Sequence, residues 1–533
     1  MVSKHKSIPC KADVTKFLLA CVFIALVFVP LGRMFGNITF SSVRKVFTAP
    51  TFPKLLSNSL VAAFLSTAIT VFLAYLLAQR IERTDMRCKG LFRTLFVLPM
   101  LIPSISHGMG LVILFGNNGL ITRLLHLDAG IYGLTGIVTG SVLYAFPVAF
   151  LMLSDVMKYE DSSPYEAARV LGISRPRQFF SITLPYMRKP MISVIFAVFT
   201  LVITDYGVPV MVGGKYTTIP KVMYEEVIGL LDFGKGAVYG GLLLIPAVIA
   251  FIVDLLNKDK GNTGFAVKPF APEKGKGKLA VSYALCIAMG IFILLPLISF
   301  ALLAFAKDYP TSLSFTMANI NRAIRLKADD YLLNSLTIAL FVSVLGVAIA
   351  FVTAYMSARM KSKLSRFLHL SSITSAAIPG LVLGLSYVLV FKGSFIYGTA
   401  AILVMVNIVH FISSPYLMMY NSLSKLNENL EGVGQTLGIG RVRMIKDVFL
   451  PQCKGTLTEM FSYFFVNSMM TISAVSFLAT TANKPVSLII NQFESQMQLE
   501  CAAVVSLAIL VVNLLVKALA RLAKADLIRK KER

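Results

Sequence analysis

The chain has 533 residues, of which 56% are hydrophobic and 14% charged, with a formal net charge of +25; its mean hydropathy is +0.76. Soluble domains are about half apolar and about a quarter charged, so these values exclude an ordinary soluble domain and indicate a polytopic membrane protein. The six cysteines are scattered with no CxxC pair and the five histidines do not cluster, which argues against a disulfide framework or a metal site.

The chain opens on "KHKSIPCKADVTKFLLACVFIALVFVPLG", basic and then apolar. No small-x-small cleavage site follows, so the segment reads as an uncleaved first span rather than a signal peptide. Further apolar runs of about 20 residues fall near 55–78, 92–115, 133–156, 188–210, 236–257, 279–306, 331–356, 367–391, 396–420, 455–480 and 500–520. With the first, near 16–34, they predict an all-α protein of about twelve transmembrane helices. Residues 257–278 are rich in Lys, Gly and Pro and read as a flexible linker. They divide the chain into two six-span units, 1–256 and 279–533.

The two units resemble each other in order. "NSL" begins the second span of each (Asn58, Asn334), and "AY" closes it (Ala74-Tyr75, Ala354-Tyr355). "IP" followed five residues after the proline by Gly recurs (Pro103 and Gly108; Pro379 and Gly384), as does a fourth-span proline (Pro147, Pro415). "EAARVLGISRPRQFFSITLP" (166–185) then has a worn copy in "EGVGQTLGIGRVRMIKDVFLP" (431–451), at a constant offset of 266, as 438 minus 172. An even number of spans per unit makes this a duplication in parallel orientation.

With the N-terminus placed in the cytoplasm, most Lys and Arg fall in inside loops, among them "QRIERTDMRCK", both motif copies, the linker and the tail "RLAKADLIRKKER". That bias predicts both termini inside. It also excludes nucleic acid as the reason for the charge, because the charge is spread over many short loops rather than one basic face.

Each motif copy lies in the inside loop between a unit's fourth and fifth spans. In "SPYEAARVL", Ser163 suits an N-cap, Pro164 the first helical position, and Glu166 the positive helix end. Ala167 and Ala168 keep the helix slim enough for another backbone to come close. Gly172 is placed to end it with φ > 0. The second elbow helix (163–185 being the whole first elbow, 431–451 the second) starts at "PRQFF", with its arginines at the wet interface. Two such elbows suggest two docking pegs for a two-fold partner.

"EAA", three residues, Gly and a downstream "LP" resemble the cytoplasmic EAA motif of ABC importer permeases of the binding-protein-dependent type. The chain is similar over nearly its whole length to their fused, two-unit members, the ferric iron, thiamine and 2-aminoethylphosphonate group. The resemblance implies a bacterial inner-membrane transport subunit. Its elbows would dock two ATP-binding-cassette ATPase subunits, which hold ATP and Mg; an extracytoplasmic binding protein would deliver the solute. Carried over by position, Glu166, Ala167, Ala168 and Gly172 form the first coupling elbow. In the second, Gly438 matches Gly172, and Val433 and Gly434 match the alanines. Glu431 stands one residue early, about 100° around a helix, so the second elbow would lack the acidic contact or reach it differently. "TDYGVPVMVGG" is closer in texture to the 2-aminoethylphosphonate permeases, with ferric iron, and then thiamine or polyamine, as rivals.

The fifth spans would line the path. Asp205, in "FTLVITDYGVPVMVGG", is a carboxylate at membrane depth, a residue type that marks ion or substrate paths. The other reading makes it a local cap near the outer interface. Tyr206 beside it is a possible donor. Thr471 is at the matching offset in the second unit, which predicts an asymmetric path. His107 is a further path candidate, or a structural histidine. Glu225, Glu226 and Asp232 read either as a binding-protein contact or as a solvated amphipathic segment. The sequence contains no GxxxxGK[ST] phosphate loop and no catalytic constellation, so no cofactor and no enzymatic role are expected of this chain. An ion-coupled secondary transporter, the rival of another class, would call for more intramembrane charge than the sequence carries.

Overall fold

A computed structural model describes residues 11–126, 130–257, 268, 270, 275–309 and 311–532. Most of the linker therefore lies outside the described residues. The first unit contains α1 (Asp13–Gly36), α2 (Phe52–Arg83), α3 (Ser104–Phe115), α4 (Leu134–Lys158), α5 (Ser163–Val170), α6 (Arg175–Ile203), α7 (Gly207–Val212) and α8 (Phe233–Asn257). The second contains α9 (Lys276–Phe305), α10 (Ala328–Ala358), α11 (Lys363–Ala377), α12 (Gly380–Phe391), α13 (Ala400–Phe411), α14 (Ser413–Ser424) and α15 (Leu430–Thr436), then α16 (441–452), α17 (Lys454–Met470), α18 (Val486–Ser495) and α19 (Leu499–Ala525). Among the described residues one two-stranded hairpin, Ala306–Asp308 with Ser312–Phe315, interrupts the helices.

Among the described residues, nine helices are long and apolar enough to cross a membrane continuously. The expected spans 367–391 and 396–420 are instead bent pairs, α11 with α12 (111°) and α13 with α14 (54°). The eleventh expected span is α17, shorter at 17 residues. The run 92–115 is also broken, and the repeated "IP" supplies the reason. Proline has no N–H and forces its predecessor out of the α region. Ile102 (φ −126°, ψ 151°) and Ile378 (φ −100°, ψ 112°) are accordingly extended just before α3 and α12 begin. The fifth runs of both units stop short as well, at Ile203 and Met470.

The glycine five residues beyond each of those prolines has a packing cause. A Cβ on Gly108 would stand 2.7 Å from Met211 Cβ and 3.4 Å from Val208 O. A Cβ on Gly384 would stand 2.7 Å from Ala474 O and 3.3 Å from the Phe477 ring. The contacted residues are again 266 apart, so the duplicated sequence builds a duplicated contact, using small residues where membrane helices approach closely.

The two units are interleaved. The first span of each packs against the other unit: α1 lies on α11, and Tyr387 of α12 donates to Leu26 O at 2.9 Å, while α9 lies on α3. Lys16 of α1, almost fully buried, donates to Met360 O at 3.1 Å and Ser362 Oγ at 3.2 Å. On the opposite flank, α19 crosses to the first unit, where Asn513 donates to Leu101 O at 2.9 Å and Ser506 meets Ser106 at 3.1 Å. Buried polar groups paired across an apolar interface fix the register of the halves.

Candidate functional site

Both elbows end in the same backbone device. After α5, Ile173 N–H bonds Ala168 O at 2.9 Å and Gly172 N–H bonds Arg169 O at 3.1 Å, with Gly172 at φ +67°. After α15, Ile439 N–H bonds Gly434 O at 2.8 Å and Gly438 N–H bonds Gln435 O at 3.1 Å, with Gly438 at φ +69°. This double bond around a left-handed residue is a Schellman cap. It turns the chain sharply and leaves Val170, Leu171, Val433 and Leu437 exposed. Ala167 is exposed, but Ala168 and Gly434 are buried, Gly434 against the Met444 side chain. The small residues at 168 and 434 thus serve packing inside the elbow.

The acidic residues differ as follows. Glu166 is half exposed and takes Lys268 Nζ of the linker at 2.7 Å. Hydrogen bonding to that lysine holds its carboxyl below the ordinary value of 4.5. Glu431 instead turns inward and forms a two-pronged pair with Arg359, at 2.8 Å to Nε and 2.5 Å to Nη2. Arg359 stands at the end of α10 and also donates to the carbonyls of Leu426 (2.9 Å) and Asn427 (2.6 Å). The Glu431 hydrogen bonds raise the Arg359 pKa further above its ordinary range.

The counterpart of this pair in the first unit does not involve Glu166. Glu160, fully buried just before α5, pairs at 2.5 Å with Arg83, the last residue of α2. Tyr165 donates to the same carboxylate at 2.5 Å and meets Thr183 at 2.9 Å. Burial, and then that bond to Glu160, push the Tyr165 hydroxyl up to about 12. Glu431, one residue early in the motif, is thus engaged within its own unit. Each elbow is tied to its unit's second span by an Arg–Glu pair, and Glu431 takes the place of Glu160 rather than of Glu166. The first elbow has a further attachment. Phe270 of the linker packs 5.1 Å from the Tyr165 ring and under the Arg83 guanidinium at 4.4 Å, a cation–π geometry.

Between the units lies a cavity of two joined lobes, of about 470 and 360 Å³. Both lobes share Tyr144, Asp205, His410, Ser414 and Ser473. The larger lobe extends along α6 and α8 to Asp254, toward the elbow end; the smaller reaches Tyr463, Asn467 and Thr471. No Lys or Arg lines either lobe among the described residues.

Asp205 sits in the turn after α6, where its carboxylate accepts Val208 N–H at 3.0 Å and Gly207 N–H at 3.4 Å. It therefore caps α7 and also faces the cavity, so the two readings of this residue are not exclusive. Thr471 lines the smaller lobe at the matching break of the second unit. The other two path candidates do not line it. Tyr206 is buried and stacked on Tyr224, at 5.0 Å and 19°. His107 is buried behind Tyr144, its Nδ1 3.2 Å from Pro103 O. Of the outer acids, Glu226 and Asp232 engage Lys235 of the same segment, at 3.2 and 3.9 Å.

Sequence reasoning missed His410, which faces both lobes and whose Nδ1 has no hydrogen-bond partner among the described residues. Its only sequence signal was being a histidine inside an apolar run.

A sequence profile described as "binding-protein-dependent transport system inner membrane component" matches residues 71–258 and again 343–529. The chain is 23% identical over 500 residues to a putative ferric transport system permease protein of Haemophilus influenzae, covering 87% of this chain and 78% of that one. It is 24% identical to the ferric transport system permease protein of Actinobacillus pleuropneumoniae, covering 80% and 65%. It is 22% identical to the thiamine transport system permease protein of Haemophilus influenzae, covering 66% and 65%. The chain thus spans about two thirds of the length of the last two.

Proposed function

This chain belongs to the family of binding-protein-dependent transport system inner membrane components, carrying its domain twice, and from that premise we propose that it supplies both membrane halves of an ATP-driven importer of a cationic solute, ferric iron first. The observation that carries the solute class is the cavity between the units, which presents Asp205 and Asp254 and, His410 apart, no basic side chain among the described residues. A carboxylate at that depth is costly in a membrane and is retained where it meets a cation. The ferric relatives support the same reading.

The second reading is 2-aminoethylphosphonate. Its amine would meet Asp205, and the hydroxyls of Ser193, Thr200, Thr204, Ser414 and Ser473 line the same cavity as donors. Its phosphonate would find no Arg or Lys fork there, the usual partner of such a group.

In this proposal two ATPase subunits, holding ATP and Mg²⁺, dock on α5 and α15 and the capped turns after them. Both termini and the elbows face the cytoplasm, and an extracytoplasmic binding protein delivers the solute to the other side. The chain contributes no catalytic group. Its work is mechanical: the Arg83–Glu160 and Arg359–Glu431 pairs transmit elbow movement to α2 and α10, and the interleaved units tilt around the cavity.

The test is reconstitution of the chain with its ATPase and binding protein in proteoliposomes. ATP-dependent uptake of ferric iron, not matched by 2-aminoethylphosphonate, is the expected result. Uptake of the phosphonate alone would move the assignment to the second reading, and uptake independent of ATP would contradict both.

A further inference from the structure

Beside the second elbow is a recess that the proposed path does not use. Thr15 of α1, Tyr355 and Met356 of α10, Met360, and residues 440–443 and 445–447 enclose about 1100 Å³ there. Arg443 and Lys446 stand on its rim, both exposed, Arg443 sharing its charge with Asp447 at 3.3 Å. Tyr355, Met356 and Ile445 also line a second space of about 700 Å³, so the recess runs on into a groove between α10 and α17. That groove is walled by Val347, Phe351, Leu457 and Phe461, with Thr458 and Tyr355 as its only polar side chains among the described residues. Because α10 spans the membrane and α17 lies in an expected span, the groove is at acyl-chain depth. The basic rim is at the elbow end, where the spans meet water.

We propose that recess and groove together bind one anionic phospholipid, its phosphate on Arg443 and Lys446 and one acyl chain along α10 and α17. Charge complementarity and the apolar continuation commit the site to this occupant. A free anion, or an acidic segment of a partner protein, would use the rim and leave the groove unexplained. A zwitterionic lipid would bring a second cation to a rim that is already basic. A lipid seated there touches α10 and α16 at once, so it braces the second elbow against the span to which Arg359 ties it.

The full chain, stripped of lipid in detergent, is loaded with dioleoylphosphatidylglycerol or dioleoylphosphatidylcholine, and retained lipid is counted by native mass spectrometry. Phosphatidylglycerol is expected to be retained preferentially. Each basic residue near a membrane surface strengthens such attachment about fivefold, so Lys446→Gln should lower phosphatidylglycerol retention about fivefold and leave phosphatidylcholine unchanged. Arg443→Gln should add less, because its charge is shared with Asp447. Ala348→Trp, at an exposed position in the groove wall, should lower retention of both lipids without disturbing the core. Arg175→Gln with Arg177→Gln in the first elbow should change nothing. Equal retention of the two lipids, no effect of Lys446→Gln with Arg443→Gln, or no effect of Ala348→Trp would overturn the proposal. Displacement of the lipid by glycerol phosphate alone would reduce the site to an anion rim and overturn it equally.

Discussion

Glu431→Gln removes the charge that neutralises Arg359 and leaves its neighbours in place. The Arg359 side chain is 4% exposed and that of Glu431 23%. Breaking a buried ion pair from one side costs about 3–5 kcal/mol, because the remaining charge loses its partner. Three features reduce that figure here. Glutamine keeps one acceptor oxygen, water reaches Glu431, and the carbonyls of Leu426 and Asn427 still hold the guanidinium. About 2 kcal/mol remains, which is about thirtyfold in a local opening equilibrium. The affected unit is α15 with its cap, whose amide bonds at Val433, Leu437, Gly438 and Ile439 open together when the elbow leaves α10. Hydrogen–deuterium exchange of peptides covering 430–439 reads that opening. Exchange there should rise about thirtyfold in Glu431→Gln, whereas Glu166→Gln should leave the first elbow near its original rate, since its partner Lys268 is a surface residue. Unchanged exchange in Glu431→Gln, or an equal rise in the two variants, would refute the view that Glu431 anchors its elbow.

The two capped turns should respond alike: Gly172→Ala and Gly438→Ala each force an L-residue into φ near +68° with nothing for the methyl to strike, a backbone cost of about 1–2 kcal/mol, and elbow exchange rates differing more than tenfold between them would contradict the equivalence. Cysteines placed at 215 and 484 should react with an impermeant thiol reagent from outside, and Cys88 should not; the reverse pattern would invert the topology. The chain has no tryptophan, so Phe270→Trp reports linker docking on the first elbow. Because Lys268 lowers the Glu166 pKa, their contact is complete above the ordinary carboxylate range and is lost only as pH falls through the depressed value. Emission should stay constant from pH 8 to pH 5 and change below that range, and a transition between pH 7 and pH 5 would speak against the contact.

What the sequence disclosed were features written in local backbone chemistry or in repetition. Gly172 and Gly438 were legible as helix stops because few other residues take positive φ, and Pro103 and Pro379 were legible as a repeat. Their consequence, a break rather than a continuous span, was outweighed by the surrounding apolar run, since membrane helices tolerate proline. The elbow anchors were hidden for a different reason. Arg83 meets Glu160 across 77 residues and Arg359 meets Glu431 across 72, and position-by-position matching directed attention to Glu166. Matching by motif keeps the register of the backbone, whereas an ion pair can be supplied from any nearby turn. The exchange of first spans between the units left no local trace: the run of α1 is apolar enough to fit either partner, and the bonds of Lys16 to Met360 O and Ser362 Oγ reach across 344 and 346 positions. His107 and His410 looked alike in sequence, and only packing places the first behind Tyr144 and the second on the cavity wall.

The central claim, that a carboxylate in the inter-unit cavity serves a cation in transit, is tested most directly at Asp205. Asp205→Asn keeps the side-chain shape and one oxygen for the 3.0 Å bond from Val208 N–H, giving up the longer 3.4 Å bond from Gly207 N–H to the other oxygen, so the shorter cap bond on α7 survives while the charge is lost. Uptake of ferric iron should be measured in proteoliposomes carrying the variant with its ATPase and binding protein, alongside ATP hydrolysis in the same vesicles. The account predicts that uptake falls at least tenfold while the ATPase still assembles and hydrolyses ATP. Uptake at the unaltered rate, with the complex intact, would show that the cavity carboxylate is a structural cap and would contradict the account.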